Sequence, residues 1–317
     1  MRGILLFFVF SLCLYAEVRD INIAPALKNQ RFMQIKILDQ KELSLSSIDG
    51  IAFYGLSDLV YESSTQSLYM VGDRGMLYRF HALFSDKIES LVPEHAWMIK
   101  NKKSKIFKPW RRDTEGLVMD KKGRLLISFE GKAKIGWFHK NGSKIGTMIK
   151  EYRLPKCLKN GQNYRSSNKS LEALAYHPKF GILTATEWPL KRDDIKRQTI
   201  YALSGKKWHF KAEPETNSAV VAIEMMDDGN LLVMERSFSG LLSPFVITLK
   251  KVMLKSCTKG FCPHKVLAKM NSHKGWDVDN FEGLARIPTN RYVMVSDDNG
   301  NFFQKTLLLY FEVKEDG

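Results

Sequence analysis

Acid is what this chain has too little of: 34 Asp and Glu stand against 49 Lys and Arg in 317 residues, a formal charge of +15. Such a balance favours anionic partners, whether phosphorylated small molecules, nucleic acid or an anionic membrane surface, although scattered lysines also simply solvate a surface. Cysteine is scarce as well, with four residues, and the seven histidines are dispersed without ligand spacing, so neither set reads as a zinc site. No G-x-S-x-G elbow is present, which argues against an ordinary triad esterase. Phosphate-cradling glycine loops are also missing, which argues against a P-loop or dinucleotide site. No Pro/Gly/Ser linker divides the chain, and no run after residue 16 is long enough to span a bilayer.

Residues 1–16 stand apart: Arg2, an apolar run from Ile4 to Leu14, and Ala16 before a polar stretch. This pattern predicts a secretory signal peptide cleaved after Ala16, leaving residues 17–317 as one domain in the periplasm or medium. Lipidation at Cys13 is disfavoured by the bulk of Leu12 before it. Cleavage lowers the charge to +14, since Arg2 is the only charged residue lost. In an oxidising compartment Cys257 and Cys262 could close a small disulfide or remain two thiols beside a turn, and Cys157 is then unpaired.

What the chain does have is a repeat, written five times and most legible as DTEGLVMDKKGRLLISFEG at residues 113–131. Anchored on Leu59, Leu117, Leu174, Ile223 and Leu284, the copies recur roughly every 50 to 60 residues, a period of propellers and other repeat architectures. Each reads as two short strands around a turn, such as Lys122-Gly123, Lys179-Phe180-Gly181 or Asp228-Gly229. Further strand signals between copies, including the Asn141-Gly142 turn, predict about four strands per blade. The expected fold is an all-β propeller of five to six blades. Two end strands, residues 31–38 and 306–313, should close it by sharing a blade, which removes exposed edges. The only stretch read as carrying a turn or two of helix is residues 94–104.

Each copy ends on an acid: Asp73, Glu130, Glu187, Glu235 and Asp297. Three copies carry another acid two residues before the anchor, Glu115, Glu172 and Glu282, where the others have Ser57 and Val221. Radial repetition would gather both series at one mouth of the propeller. Converging carboxylates must bind a metal, shift their pKa values upward or pair with arginine, and Arg74 and Arg236 directly follow two of the second acids. A purely structural role is the competing reading: an acid of this kind can cap the backbone of the next blade. The dense basic run at residues 101–112, with Phe107 and Trp110 interleaved, is read as a loop lining an opening for an anion rather than a nucleic-acid groove.

The blocks GLSDLVYE with VGDRG, DTEGLVMD with ISFEG, SLEALAYHP, DDGNLLVMERS, and NFEGLARIP with VSDDN resemble the phytase-like domain, also called the esterase-like activity of phytase family. The resemblance runs from about Leu56 to Val313 and implies an exported bacterial β-propeller with phosphoesterase activity. The matching acids are Glu115, Glu172, Glu282, Asp73, Glu130, Glu235 and Asp297, whereas Glu187 lies in TATEW, outside the clear match. The expectation is a phosphate-ester hydrolase acting on an anionic small molecule, with no nucleic-acid partner. Glu115, Glu172, Glu282, Arg74 and Arg236 would act in catalysis, and Asp73, Glu130, Glu235 and Asp297 would hold calcium. Two alternatives remain open: a non-catalytic ligand- or protein-binding propeller, and a metal-dependent lactone or carboxyl-ester hydrolase.

Overall fold

Each repeat copy alternates apolar side chains on both faces of two short strands, so both faces must be covered, and a ring of face-to-face sheets covers them. The computed structural model describes residues 17–166, 168–240 and 243–314. Among these residues five sheets radiate from one axis, each an antiparallel meander with its repeat copy innermost. Blade one comprises Leu56–Glu62, Ser67–Gly72, Met76–Phe84 and Ile88–Met98. Blade two comprises Thr114–Met119, Leu125–Phe129, Lys134–Phe138 and Met148–Glu151. Blade three runs through Leu171–His177, Gly181–Thr186, Arg197–Ala202 and Lys207–Lys211. Blade four runs through Ala219–Met225, Leu231–Ser237, Val246–Val252 and His264–Asn271.

Blade five supplies three strands from the C-terminal part, Phe281–Ile287, Arg291–Ser296 and Leu307–Val313, and takes its fourth, Ile35–Ser44, from near the N-terminus. Leu307 pairs with Glu42 and Val313 with Ile35, so the two ends of the chain close the ring as their alternation predicts. The boundaries differ from expectation: Arg31–Phe32 folds back as a short hairpin on the closing strand, which extends to Ser44, and Glu17–Asp20 pairs along its outer edge. The blade count resolves to five, because the residues before Leu56 are used in this closure. Residues 94–104 are not helical: they begin inside the strand Ile88–Met98, where His95 and Trp97 alternate in the ladder. The expected leader, residues 1–16, lies outside the described residues.

Packing follows the ring. Five apolar clusters form, one between each pair of neighbouring blades; Met234, Ile247, Tyr292 and Met294, for example, join blades four and five. Near the axis the inner strands approach too closely for ordinary side chains. A Cβ on Gly116 would lie 2.6 Å from Leu174 N, and one on Gly283 would lie 2.7 Å from Asp58 Cα. Blade one holds Asp58 at this crowded level and uses it as a clamp. Its Oδ2 accepts from Leu117 N in blade two at 2.6 Å, and its Oδ1 accepts from Leu284 N in blade five at 3.0 Å and from Leu59 N at 2.9 Å. On the outside of blade four Cys257 and Cys262 form a disulfide, and Cys157 is free and half-buried.

Candidate functional site

The site begins as a backbone irregularity repeated five times. At the start of every inner strand the ladder slips by one residue: Leu56 pairs with Gly72 but Asp58 with Val71, and the same happens at Thr114/Leu117, Leu171/Ala173, Val220/Ala222 and Phe281/Gly283. A bulge leaves one residue unpaired and re-aims its side chain. The extra residues fall at the positions of Ser57, Glu115, Glu172, Val221 and Glu282, so the first acid series sits in these slots.

The second series follows from register. The anchors pair with Met70, Ile127, Thr184, Val233 and Met294, and the residue three positions further on in each second strand occupies the mouth: Asp73, Glu130, Glu187, Arg236 and Asp297. The fourth member is therefore arginine, and the expected ring position for Glu235 is corrected by one residue. Glu235 pairs with Val220 and turns between sheets, where Lys250 Nζ meets it at 2.6 Å, Ser218 Oγ at 2.8 Å and Glu213 N at 2.9 Å. Lys250 is fully buried and also bridges Glu213 at 2.8 Å, so this charge cluster joins sheet to loop away from the mouth acids.

Arg236, in the acid register, acts as an internal counter-ion. Its guanidinium reaches Glu282 Oε1 at 2.5 Å and Glu187 Oε1 at 3.0 Å, and it also bonds Asn280. Lys169 contacts Glu187 Oε2 at 2.6 Å. Among the described residues these are the only cations paired with the seven mouth acids; Glu115, Glu172, Glu130, Asp73 and Asp297 have none. Each acid repels the next around the mouth. Burial, reinforced by Glu172, Glu130 and Glu282, pushes Glu115 well above the carboxylate range, and burial with Glu187 and Glu130 does the same to Glu172. Glu130 rises to about 8 by burial and the charge of Glu187, and Asp297 to about 8 by burial and Glu282. Asp73 rises to about 6, burial outweighing the pull of Arg74.

Two carboxylate triads converge here, with oxygens within 4.8 Å of one another: Asp113, Glu115 and Glu130, and then Glu130, Glu172 and Glu187. Their lone pairs are unequally committed. Glu130 Oε1 accepts from Ser170 N at 3.0 Å, and Asp297 Oδ1 accepts from Asn299 N at 2.6 Å, so these two cap backbone as the structural reading requires. Glu115 and Glu172 lie in bulges, nine-tenths buried, and accept no hydrogen bond from any described residue. Asp73 keeps one buried oxygen, Oδ1, without a partner. An all-oxygen set with too few cations fits a hard divalent metal ion, which Asp113, Glu115, Glu130, Glu172 and Glu187 could hold.

The structure thus brings together Glu115, Glu172, Glu282, Arg236, Asp73, Glu130 and Asp297, and removes Glu235. Arg74 borders the mouth but is exposed, with its guanidinium 5.2 Å over the Tyr54 ring. Sequence reasoning left Glu187 outside the matched set and did not use Asp113. The signal for Glu187 was its spacing of thirteen residues from Leu174, the same as that of Glu130 from Leu117.

Solved structures similar to this chain include virginiamycin B lyase from Staphylococcus aureus. An inactive variant with quinupristin is 11% identical over 93% of this chain and 99% of that one, with a TM-score of 0.40. A selenomethionine form is 10% identical over 94% and 99%, with a TM-score of 0.38. No curated protein matches the sequence. The family model described as "Phytase-like: Esterase-like activity of phytase" matches residues 51–300, from just before blade one to the last mouth loop, and the chain belongs to that family.

Proposed function

We propose that the protein is an exported hydrolase of phosphate esters whose mouth acids hold calcium against an anionic substrate. The observation that carries this reading is the pair Glu115 and Glu172: buried, free of hydrogen bonds, and set in the two triads that share Glu130. Structural acids do not need vacant lone pairs, and Asp58 and Glu235 show what structural acids look like in this fold. Calcium bound there would supply charge neutralisation for a phosphoryl oxygen.

The remaining work falls to side chains of the chain itself. Glu115 and Glu172, raised by burial and by neighbouring carboxylates, would orient a water and accept its proton once a bound cation lets them ionise. Arg236 holds Glu187 and Glu282 in place and keeps the charge of the mouth from growing further. Arg74, exposed beside Asp73, is placed to meet a substrate phosphate. The test is turnover of a panel of phosphomonoesters and diesters by the purified mature protein, in calcium and in chelator. Calcium-dependent hydrolysis that is lost on Glu115→Gln is expected. Calcium binding without turnover of any ester would instead make this a binding propeller.

A further inference from the structure

We propose that the mouth face of the propeller docks on an anionic lipid surface. In each blade the inner strand starts at the mouth and the second strand ends there. The loops from second to third strand and the approaches to each next inner strand therefore lie on that face, whereas residues 100–106 turn aside to pair Lys100 with Thr147, beside the third-to-fourth strand loop of blade two. Nine large apolar side chains are exposed among the described residues, and five of them are on the loops of that face: Trp110, Ile195, Phe238, Phe302 and Phe303. Scattered exposed apolar residues need no explanation, but a concentration on one face of a propeller does.

The most prominent pair is also held firmly in place. Phe302 is 96% and Phe303 91% exposed, at the tip of a loop whose base is hydrogen-bonded throughout. Asn301 Oδ1 accepts from Phe303 N and Gln304 N, both at 3.0 Å, and Asp279 accepts from Gln304 Nε2 and Lys305 N, both at 2.9 Å. The two aromatic rings, 5.9 Å apart and edge to face, form a wedge on a braced loop with no other aromatic partner among the described residues.

Charge selects the occupant. The segment 107–112, which carries Trp110, holds Lys108, Arg111 and Arg112 and no acid. Phenylalanine and tryptophan entering the headgroup boundary, with cations beside them, is the chemistry of interfacial binding to anionic lipid. Nucleic acid fits less well, since Ile195 cannot stack on bases and the Phe302–Phe303 tip has no adjacent cation before Lys305. The proposal does not depend on what the mouth acids do.

The test uses the mature chain with vesicles of phosphatidylcholine, alone or with about one third phosphatidylglycerol, followed by co-sedimentation. Binding should require the anionic lipid and weaken as salt screens the cations. The double substitution Phe302→Ser, Phe303→Ser should lower the partition coefficient by about tenfold or more and leave the melting temperature unchanged. Trp110→Ser offers a second probe on another loop and should lower it independently. Absence of sedimentation with anionic vesicles would overturn the proposal, as would undiminished binding by both variants. A dimer in solution that the double variant dissociates would also overturn it, by showing that a second copy covers this face.

Discussion

Replacing Glu172 by Gln removes one charge from the triad in which Glu130, Glu172 and Glu187 oxygens lie within 4.8 Å. At that separation and an effective dielectric of about 20, each like-charged pair costs roughly 3 kcal/mol when both members are ionised. Solvent at the mouth and retained protons reduce the realised penalty to about 1–3 kcal/mol. The sign with pH follows from the upward shifts. A carboxyl held above its unfolded value favours the folded state while protonated, and that contribution is lost as pH rises from the ordinary range near 4.5 through the folded value. Glu130 and Asp297, at about 8, place the loss between pH 4.5 and 8. Calcium-free protein should therefore melt at progressively lower temperature across that window. Glu172→Gln should match it at pH 5 and exceed it at pH 8, by about 2–6 °C for a domain of this size. Saturating calcium should stabilise the wild type by about 3 kcal/mol at a hundredfold excess over Kd, and the variant much less. Thermal unfolding at both pH values, in chelator and in calcium, reads all four states. A variant less stable than wild type in chelator at pH 8, or one that gains as much from calcium, would refute the argument that Glu172 is an uncompensated ligand.

Two further substitutions separate structural acids from the site. Asp58→Ala leaves three buried N–H groups without their acceptor and should cost about 3–6 kcal/mol, with calcium response intact in whatever protein folds; chemical denaturation measures it. Glu235→Gln weakens the buried partnership with Lys250 and should cost about 1–3 kcal/mol without changing calcium affinity, so a loss of affinity in a calcium titration would return Glu235 to the site.

Much of this molecule can be read from its repeat, because a strand pair that buries both faces has to alternate, and alternation survives in the letters. The closing pair was legible for the same reason, although the first strand runs from Ile35 to Ser44 rather than over 31–38, because the fold-back of Arg31–Phe32 onto it leaves no separate mark in the alternation. The site was legible as a composition of acids but not as a geometry. Glu235 and Arg236 differ by one position, and a one-residue slip moves a side chain from one face of a strand to the other. Asp58 escaped notice because its equivalents are Gly116, Ala173, Ala222 and Gly283, small residues forced by the close approach of the inner strands. No carboxylate pattern marks such a position. The bulges that create the first acid slots depend on pairing across the sheet, which one strand's sequence does not contain.

The strand Ile35–Ser44 has a consequence for how the protein is made. It emerges early in synthesis, yet its neighbour Leu307–Val313 is among the last segments to appear, so a nascent chain holding four finished blades still has an open circle. Bringing the two ends together is a long-range contact, slow to form because the loop entropy is lost before the pairing rewards it. Until then the outer edge of the last blade and the apolar seam it should cover stay accessible. A protein built this way closes its ring only once Leu307–Val313 has been made and has found the strand Ile35–Ser44.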